Sequence, residues 1–282
     1  MKKLEESLED GDFYSALQMY KTLLSRTSPT DVENAAALAE EGSVKLLKKG
    51  FARAATELTQ QFVAFLAEHS VPVTDNLLSN ITNIADAYPK EVDAMQDKLL
   101  VLGDSIDWSK SCGAYPRGNP TLHALRARAY LSVGEFGKAS NHFLFAEAHE
   151  EFAKFLVALG KRGFSSEVDL FILRVILQML ALENLNDAAL VLAAWKASVS
   201  HDSPKSVDTP AVHLCDFLVQ SAQRGPAAAN LFALLEKRYH PTLERDPSFA
   251  SYMQLIGHRL FGRPKPRQGG MMGMLSQMMG MG

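Results

Sequence analysis

Two histidines have the residue types and the spacing that invite a metal-binding interpretation. His142 and His149 lie seven positions apart, and Glu150 and Glu151 follow directly. A structural zinc site needs four ligands of this kind. The sequence suggests no third ligand, and His149 with the two glutamates has the composition of a polar helix start, where acidic side chains are favoured. We therefore predict no metal site.

Nucleophilic and cofactor chemistry has no better support. The cysteines, Cys112 and Cys215, lie far apart in the sequence and form neither a metal-spaced nor a redox pair. Cys112 would be a nucleophile in principle, but its loop supplies no general base. The chain contains no P-loop, no dinucleotide-binding glycine pattern and no nucleophile elbow. We expect no enzymatic activity and no cofactor.

Composition and charge limit the partners. The 282 residues are 47% hydrophobic and 22% charged, as is ordinary for a packed soluble protein, and the formal net charge is −3. Such a chain offers no basic footprint to nucleic acid. The first residues carry two lysines followed by acidic residues, which argues against a signal peptide. These features predict a cytosolic protein without stable membrane insertion.

The elements that must position any functional residue are helices. Hydrophobic periodicity and turn signals predict an all-α fold of about 14 helices. These lie near residues 2–10, 13–27, 31–49, 51–69, 73–87, 90–108, 120–133, 135–147, 149–161, 165–183, 185–199, 210–224, 226–239 and 246–262.

The segment 163–182 predicts a helix with almost no polar face. Ser166 and Asp169 fit a capping box, and after them only Arg174 and Gln178 interrupt about three apolar turns. The central arginine and the short uninterrupted length argue against a membrane span. Such a helix needs neighbours on at least two sides, and they can come from the chain or from a partner.

A faint repeat organises the helices. A bulky residue followed three positions later by alanine opens four of them, as Phe13/Ala16, Phe51/Ala54, Phe136/Ala139 and Leu185/Ala188. The bulky residue fills the turn, and alanine allows close approach of the next helix. Any helical hairpin can use this pattern, but its recurrence favours a right-handed α-solenoid of tetratricopeptide-like antiparallel helix pairs.

Three irregular stretches suggest the domain organisation. A turn-rich connector at 109–119 would separate an N-terminal arm, 1–108, from a C-terminal arm, 120–262. The polar loop at 200–210 is either a solvated linker or a flap over a partner. The Met/Gly-rich tail, 263–282, begins with a basic spacer, and its five glycines favour disorder over a helical contact with an apolar segment.

Four segments together resemble one known family. They are GDFYSALQMYKTLLSR at 11–26, PTLHALRARAYLSVGEFGKASNHFLFA at 120–146, RGFSSEVDLFILRVILQML at 162–180 and YHPTLERDPSFASYMQLIGHRLFGRPKP at 239–266. In this order they resemble the Golgi-to-ER traffic protein four family, the scaffold of the guided-entry pathway for tail-anchored membrane proteins. The third and fourth segments are the most specific.

The resemblance implies an adaptor without catalysis of its own. Its N-terminal arm would bind the targeting ATPase, and its C-terminal arm would grip a ubiquitin-like partner, which connects it indirectly to a co-chaperone holding the client. Selective binding of the nucleotide-loaded ATPase would restrain hydrolysis, which requires different affinities for the ATPase states. The alternative is a generic α-solenoid subunit of a larger assembly.

The resemblance also assigns candidate residues. The ATPase-binding set includes the acidic residue associated with tuning ATP hydrolysis, Glu57, and consists of Phe13, Tyr14, Lys21, Arg26, Lys45 and Glu57. The ubiquitin-like-partner-binding set consists of Phe171, Leu177, Trp195, Phe217, Leu218, Phe249, Tyr252 and Leu255. We expect most of the second set to be core residues and a minority to touch the partner. In the first set Phe13 is also a repeat anchor, and the lysines fit a solvated face equally well.

Overall fold

The computed structural model describes residue 7, residues 11–202 and residues 207–265. Within these residues every regular element is helical, so the predicted all-α fold is confirmed. The predicted helix at 2–10 lies almost wholly outside the described residues. So do the centre of the predicted 200–210 flap and nearly all of the Met/Gly-rich tail.

The described helices fall close to the predicted ones. They are α1 (Phe13–Arg26), α2 (Val32–Lys48), α3 (Ala52–Glu68), α4 (Asp75–Ala87), α5 (Val92–Cys112), α6 (Pro120–Ser132), α7 (Phe136–Phe143), α8 (His149–Gly160), α9 (Val168–Ala181), α10 (Leu185–Asp202), α11 (Pro210–Arg224), α12 (Ala229–Arg238), α13 (His240–Leu243) and α14 (Pro247–Phe261). Short 3₁₀ turns, Ser165–Glu167 and Gly225–Ala228, lead into α9 and α12.

Local sequence fixes several of the helix starts. Three helices begin with a side-chain cap followed by proline at the first helical position, at 119–120, 209–210 and 246–247. The capping oxygen satisfies a backbone N–H that has no partner within the helix, and proline has no N–H to satisfy. These pairs are visible in the sequence, which is why the starts of α6, α11 and α14 were predictable.

The first compact unit, Met1–Ala146, contains α1 to α7. Its packing is that of a stack: α1 packs on α2 and α3, α2 on α3 and α4, α3 on α5, and α4 and α5 on α6. Each helix therefore contacts its successor or the next but one, as in a solenoid. The repeat is visible in the packing, because the anchors Phe13 and Phe51 stack with ring centroids 3.8 Å apart.

Close approach of the first three helices depends on a glycine in α2. A Cβ atom built on Gly42 would lie 2.6 Å from Leu58 Cδ2 and 2.9 Å from the Tyr20 ring. Both side chains are buried, on α3 and α1 respectively. The absence of a side chain at this position therefore sets the distance between α2 and its two neighbours.

The second compact unit begins at Glu147 and is built around α9. This helix packs against α8, α10, α11 and α14. Of its 14 residues, 10 are buried, including the polar residues Asp169 and Gln178, whereas Arg174, the other interruption of the apolar pattern, is exposed. The chain itself therefore covers α9 on both sides, which answers whether its neighbours come from within or from a partner.

The first part of the predicted connector, 109–112, is helical, and the division between the compact units lies further along the chain. Helix α5 continues to Cys112, because Trp108 and Ser109 are buried and the Ser109 hydroxyl donates to the Ile106 carbonyl 2.8 Å away. Helix α6 packs on α4 and α5 and so belongs to the first unit. The division falls after Ala146, about two helices beyond the connector.

The first residue of the predicted tail, Arg263, packs against the second unit and is not part of a solvated spacer. The Arg263 backbone N–H donates to the Gly257 carbonyl at 3.0 Å. Its guanidinium lies 4.7 Å from the Phe232 ring centroid and donates to Glu236 Oε2 at 2.8 Å. Arg263 is thus held against α12 and α14, because cation–π and ion-pair contacts fix the same side chain.

Candidate partner-binding surfaces

Apolar side chains mark the start of α1 and α3. Phe13 is half-buried under Phe51, which is itself 39% exposed, while the neighbouring Tyr14 is 74% exposed. The stacked pair is partly exposed and lies beside an exposed tyrosine, so these three side chains give this end of the unit a small apolar surface. We call Phe13, Tyr14 and Phe51 the aromatic edge.

About two turns further along α1, the structure brings together two of the predicted ATPase-binding residues. Lys21 Nζ on α1 lies 3.5 Å from Glu57 Oε2 on α3, and both side chains are partly exposed. The amide of Gln61 donates to the Lys21 carbonyl at 3.1 Å and adds a second connection between the two helices. An exposed ion pair of this kind contributes only about 0–1 kcal/mol, so both charges stay available to a partner.

The polar face of α3 extends beyond the predicted residues. Arg53 Nη1 donates to Asp97 Oδ1 at 2.9 Å, and Gln60 Nε2 donates to Asp104 Oδ2 at 2.7 Å. Glu57 lies between these residues on the same helix face, since 53, 57 and 60 follow the helical period. Sequence reasoning missed Arg53 and Gln60, because their acceptors are on α5 and no local pattern indicates them.

Two further predicted residues stand apart from this pair. Lys45 donates to Glu41 Oε1 at 2.6 Å within α2, and Arg26 is exposed in the last turn of α1. Cations in the last turn of a helix are stabilised by the helix dipole, which is a sufficient structural reason for Arg26. Among the described residues no ion pair or hydrogen bond connects either side chain to Lys21 or Glu57.

The predicted partner-binding residues of the second unit are mostly interior. The expectation that most of them are core residues is confirmed for Leu177, Trp195, Leu218, Phe249, Tyr252 and Leu255, which are all buried. Phe171 is half-buried. Phe217, on α11, is 43% exposed, and its ring centroid lies 6.4 Å from that of Tyr239. Phe217 is therefore the member of the set with the most surface to offer.

The histidines singled out by the sequence have separate partners. His142 Nδ1 lies 2.9 Å from His123 Nδ1, and His149 Nε2 lies 2.9 Å from Asp187 Oδ1. His123 Nε2 donates to the Arg117 carbonyl, so its Nδ1 accepts the proton of His142 Nδ1. Burial lowers the pKa of His123 to about 4, and burial with the nearby His123 lowers the pKa of His142 to about 3. Both rings are neutral at pH 7.

Two further observations concern chemistry in the described residues. No group of three or more histidine, cysteine or acidic side chains in residues 11–202 and 207–265 is arranged to hold a metal ion. Burial raises the pKa of the Cys215 thiol, which keeps it protonated and unreactive.

None of the helices in residues 11–202 and 207–265 has the length and apolarity needed to cross a membrane.

Comparison with known proteins decides the family. A sequence profile described as Golgi to ER traffic protein 4 matches residues 30–279. The chain is 31% identical to the human Golgi to ER traffic protein 4 homolog, over 99% of this chain and 85% of the relative. The chain belongs to the Golgi to ER traffic protein 4 family. It is also 28% identical to Protein GET4 of Arabidopsis thaliana, over 99% of this chain and 94% of the relative.

A solved structure supports the fold of this family member. The protein titled "Crystal structure of C. therm. Get4" superimposes with a TM-score of 0.84 at 22% identity, covering 99% of this chain and 93% of that one. At this identity the likeness concerns the fold alone. The profile match begins at residue 30, so α1 with Phe13, Tyr14 and Lys21 lies before it.

The two segments that carry the resemblance to the Golgi to ER traffic protein 4 family most specifically lie together in the structure. Arg245 donates to Asp169 at 3.3 Å, and Arg174 forms an ion pair with Asp246. Burial alone would raise the pKa of Asp246, but hydrogen bonds from Ser248 and the charge of Arg174 outweigh it and lower the pKa. The charged residues of both segments thus hold α9 to the start of α14.

Proposed function

We propose that this chain is a non-catalytic scaffold in the targeting of tail-anchored membrane proteins to the endoplasmic reticulum. In this role it connects a ubiquitin-like partner, and through it a co-chaperone, to a targeting ATPase. The observation that carries the proposal is the family match over residues 30–279, together with relatives that align along 99% of the chain. A role in Golgi-to-ER traffic follows from membership, and the bridging mechanism is our inference.

We infer that the ATPase binds the surface formed by α1 and α3. The aromatic edge would supply apolar contact area, and Lys21 with Glu57 would supply charges that exchange partners at little cost. Charged groups at such a surface raise association rates and specificity, and salt screens them. Binding should therefore weaken as ionic strength rises.

Regulation of the nucleotide cycle requires unequal affinity for two ATPase states. A scaffold that binds the ATP-loaded state more tightly stabilises that state by the same factor, and it slows hydrolysis if it binds the transition state less tightly than the ATP-loaded state. Because Glu57 already has a cation beside it on α1, a cation of one ATPase state can displace Lys21. The exchange of partners at Glu57 would then distinguish the states.

The ATPase surface is tested by reversing charges at the pair. Binding of the purified ATPase would be measured with an ATP analogue and with ADP, at low and moderate salt, for Lys21→Glu and Glu57→Lys. We expect each variant to weaken binding at least about fivefold in the ATP-analogue state, the loss of one charge-assisted contact. Glu244→Lys, the same charge change on the second unit, is the control. Unchanged binding and hydrolysis in both variants would remove these residues from the interface.

The second unit is tested at its exposed aromatic residue. We infer that an apolar segment of the ubiquitin-like partner covers Phe217 and Tyr239. Phe217→Glu places a charge in that contact and should abolish co-purification, whereas Leu100→Glu, at an exposed leucine of the first unit, should not. Full retention of the partner by Phe217→Glu would move the contact elsewhere on the unit.

A single capture experiment separates the scaffold from a generic solenoid subunit. The purified chain would be incubated with cytosol of its own source at low and moderate salt, and bound proteins identified by mass spectrometry. Recovery of a ubiquitin-like protein at both salts and of an ATPase mainly at low salt supports the proposal. Recovery of subunits of a lid or coat complex instead would replace it.

A further inference from the structure

The surface assigned to the ATPase is small for the partner that it must hold. It comprises the aromatic edge and the pair of Lys21 and Glu57, on α1 and α3. A stable protein–protein interface takes about 20–30 residues and about 800 Å² from each partner. An ATPase bound at α1 and α3 therefore also covers neighbouring elements of the first unit.

Helix α5 lies beside α3 and continues the same face. The Arg53 guanidinium donates to Asp97 at 2.9 Å, and the Gln60 amide donates to Asp104 at 2.7 Å. In both pairs the residue on α5 comes 44 positions after its partner on α3, so the two helices run parallel in a fixed register. Glu57 lies between Arg53 and Gln60, and it is therefore opposite the middle of the segment between the two aspartates.

An exposed leucine occupies the middle of that segment. Leu100 follows Asp97 by three residues and precedes Asp104 by four, so the three side chains share one face of α5. Leu100 is 48% exposed. A single exposed leucine needs no explanation by itself. This one, however, lies opposite Glu57, which belongs to the proposed ATPase contact.

The carboxylates around Leu100 are only partly compensated by cations. Asp104 accepts from the neutral Gln60 amide, and among the described residues no lysine or arginine is recorded in an ion pair with it. Glu57 has Lys21 at 3.5 Å, a long contact between partly exposed groups. A partner that covers Leu100 has to bring a cation to Asp104, because a carboxylate removed from water without a counter-charge costs free energy.

We propose that the ATPase interface continues over α5, with Leu100 as an apolar contact and Asp104 as the acceptor for a lysine or arginine of the ATPase. This inference rests on the proposed ATPase contact at α1 and α3. The matching surface of the ATPase is an apolar side chain beside a cation, because the first removes Leu100 from water and the second compensates Asp104. Gln60 holds the Asp104 carboxylate in place and is a positioning residue of this contact.

Two substitutions on α5 test the two contacts separately. The affinity of the full-length chain for the purified ATPase, loaded with an ATP analogue, would be measured by calorimetry. Leu100→Ala removes apolar area and introduces a good helix former, and we expect at least about fivefold weaker binding. Asp104→Asn keeps an acceptor for the Gln60 amide but removes the charge, and we expect at least about fivefold weaker binding at low salt. Both positions are exposed, so both variants should melt like the wild type.

Ionic strength distinguishes the two contacts. The loss in Asp104→Asn should shrink as salt is added, because salt screens exposed charges, whereas the loss in Leu100→Ala should persist. The matched controls are Leu234→Ala, at an exposed leucine of the second unit, and Glu244→Gln, which removes an exposed carboxylate there. Both controls should bind the ATPase like the wild type.

Lys21→Glu, measured in the same series, separates this inference from the proposed function. If Lys21→Glu weakens binding while either α5 variant binds like the wild type, the contact proposed for α5 is wrong and the proposed function stands. If the wild-type chain does not bind the ATPase at all, both are wrong.

Discussion

Buried polar side chains in this protein take partners that are distant in the sequence. Gln178 on α9 donates to the Tyr252 hydroxyl on α14 at 3.0 Å, and the Trp108 indole donates to the Val71 carbonyl at 2.9 Å. Sequence identified Gln178 as an interruption of an apolar helix and Tyr252 as a candidate contact residue. It could not pair them, because which helices meet is decided by packing along the whole unit.

Removal of the Tyr252 hydroxyl should therefore destabilise the second unit. In Tyr252→Phe the buried Gln178 amide loses its acceptor, and an unsatisfied buried donor costs about 1–3 kcal/mol. The double variant Tyr252→Phe/Gln178→Met removes both polar groups and should recover much of the loss. Urea unfolding of the single and double variants measures the coupling. Additive effects of the two substitutions would show that the hydrogen bond contributes nothing.

The histidine pair predicts a pH dependence of stability. In the folded chain the pKa is about 4 for His123 and about 3 for His142, against 6.5 when unfolded. The unfolded chain therefore takes up protons that the folded chain excludes, and stability present above about pH 6.5 is lost as pH falls towards 4. Each proton contributes about 1.4 kcal/mol per pH unit within that window.

A substitution isolates this effect from other acid-sensitive groups. His142→Gln should give a shallower slope of unfolding free energy against pH between about 6.5 and 5, above the range where most carboxylates titrate. A wild-type slope in His142→Gln would mean that the histidine charges freely in the folded protein.

At the scale of helices, the sequence predicts well where helices form, and it predicts less well where each helix ends. The caps at Asn119, Thr209 and Asp246 are local, and their helices begin where expected. The end of α5 was misjudged, since Ser109 to Cys112 have turn-like composition. Burial of Trp108 and Ser109 overrides that propensity and continues the helix.

The contact of α2 with its neighbours can be tested at its glycine. Gly42→Ala gains about 1 kcal/mol of helix propensity but meets Leu58 and Tyr20, and overpacking of a core costs about 1–3 kcal/mol. We expect net destabilisation, seen as a lower thermal midpoint. Gly137→Ala is the matched control, because nothing lies within 4 Å of its added methyl group and it should be neutral or stabilising. Equal midpoints for the two variants would mean that α2 shifts freely.

At the scale of the whole chain, composition predicts a connector at 109–119, and the structure divides into two compact units after Ala146. Within the turn-rich stretch 109–119, residues 113–119 separate two helices. This stretch does not divide the compact units, because α6 fills the space beside α4 and α5. Composition reports where the chain turns, whereas a border depends on which helices cover one another. The family resemblance supplied the candidate partner-binding residues. The structure then showed which of these residues are exposed, and the sequence alone does not show exposure.

The division of the compact units after Ala146 predicts which fragments of the chain fold on their own. A chain ending at residue 146 keeps all contacts of the first unit and should be helical and unfold cooperatively on its own. A chain ending at residue 118 loses α6 and exposes apolar faces of α4 and α5, so it should melt without a sharp transition or aggregate. Circular dichroism melts of both fragments compare the two. Equal cooperativity would place the border at the connector after all.

The position of α9 among four helices has a consequence for synthesis on the ribosome. Helices α8 and α10 adjoin it in the chain, but α11 and α14 are made later, and α14 ends only at Phe261. At about 5–20 residues per second, the apolar helix waits on the order of several seconds for its last cover. During that interval the nascent chain presents the kind of apolar segment that chaperones bind, so a scaffold of a targeting pathway would itself be a client while it is made.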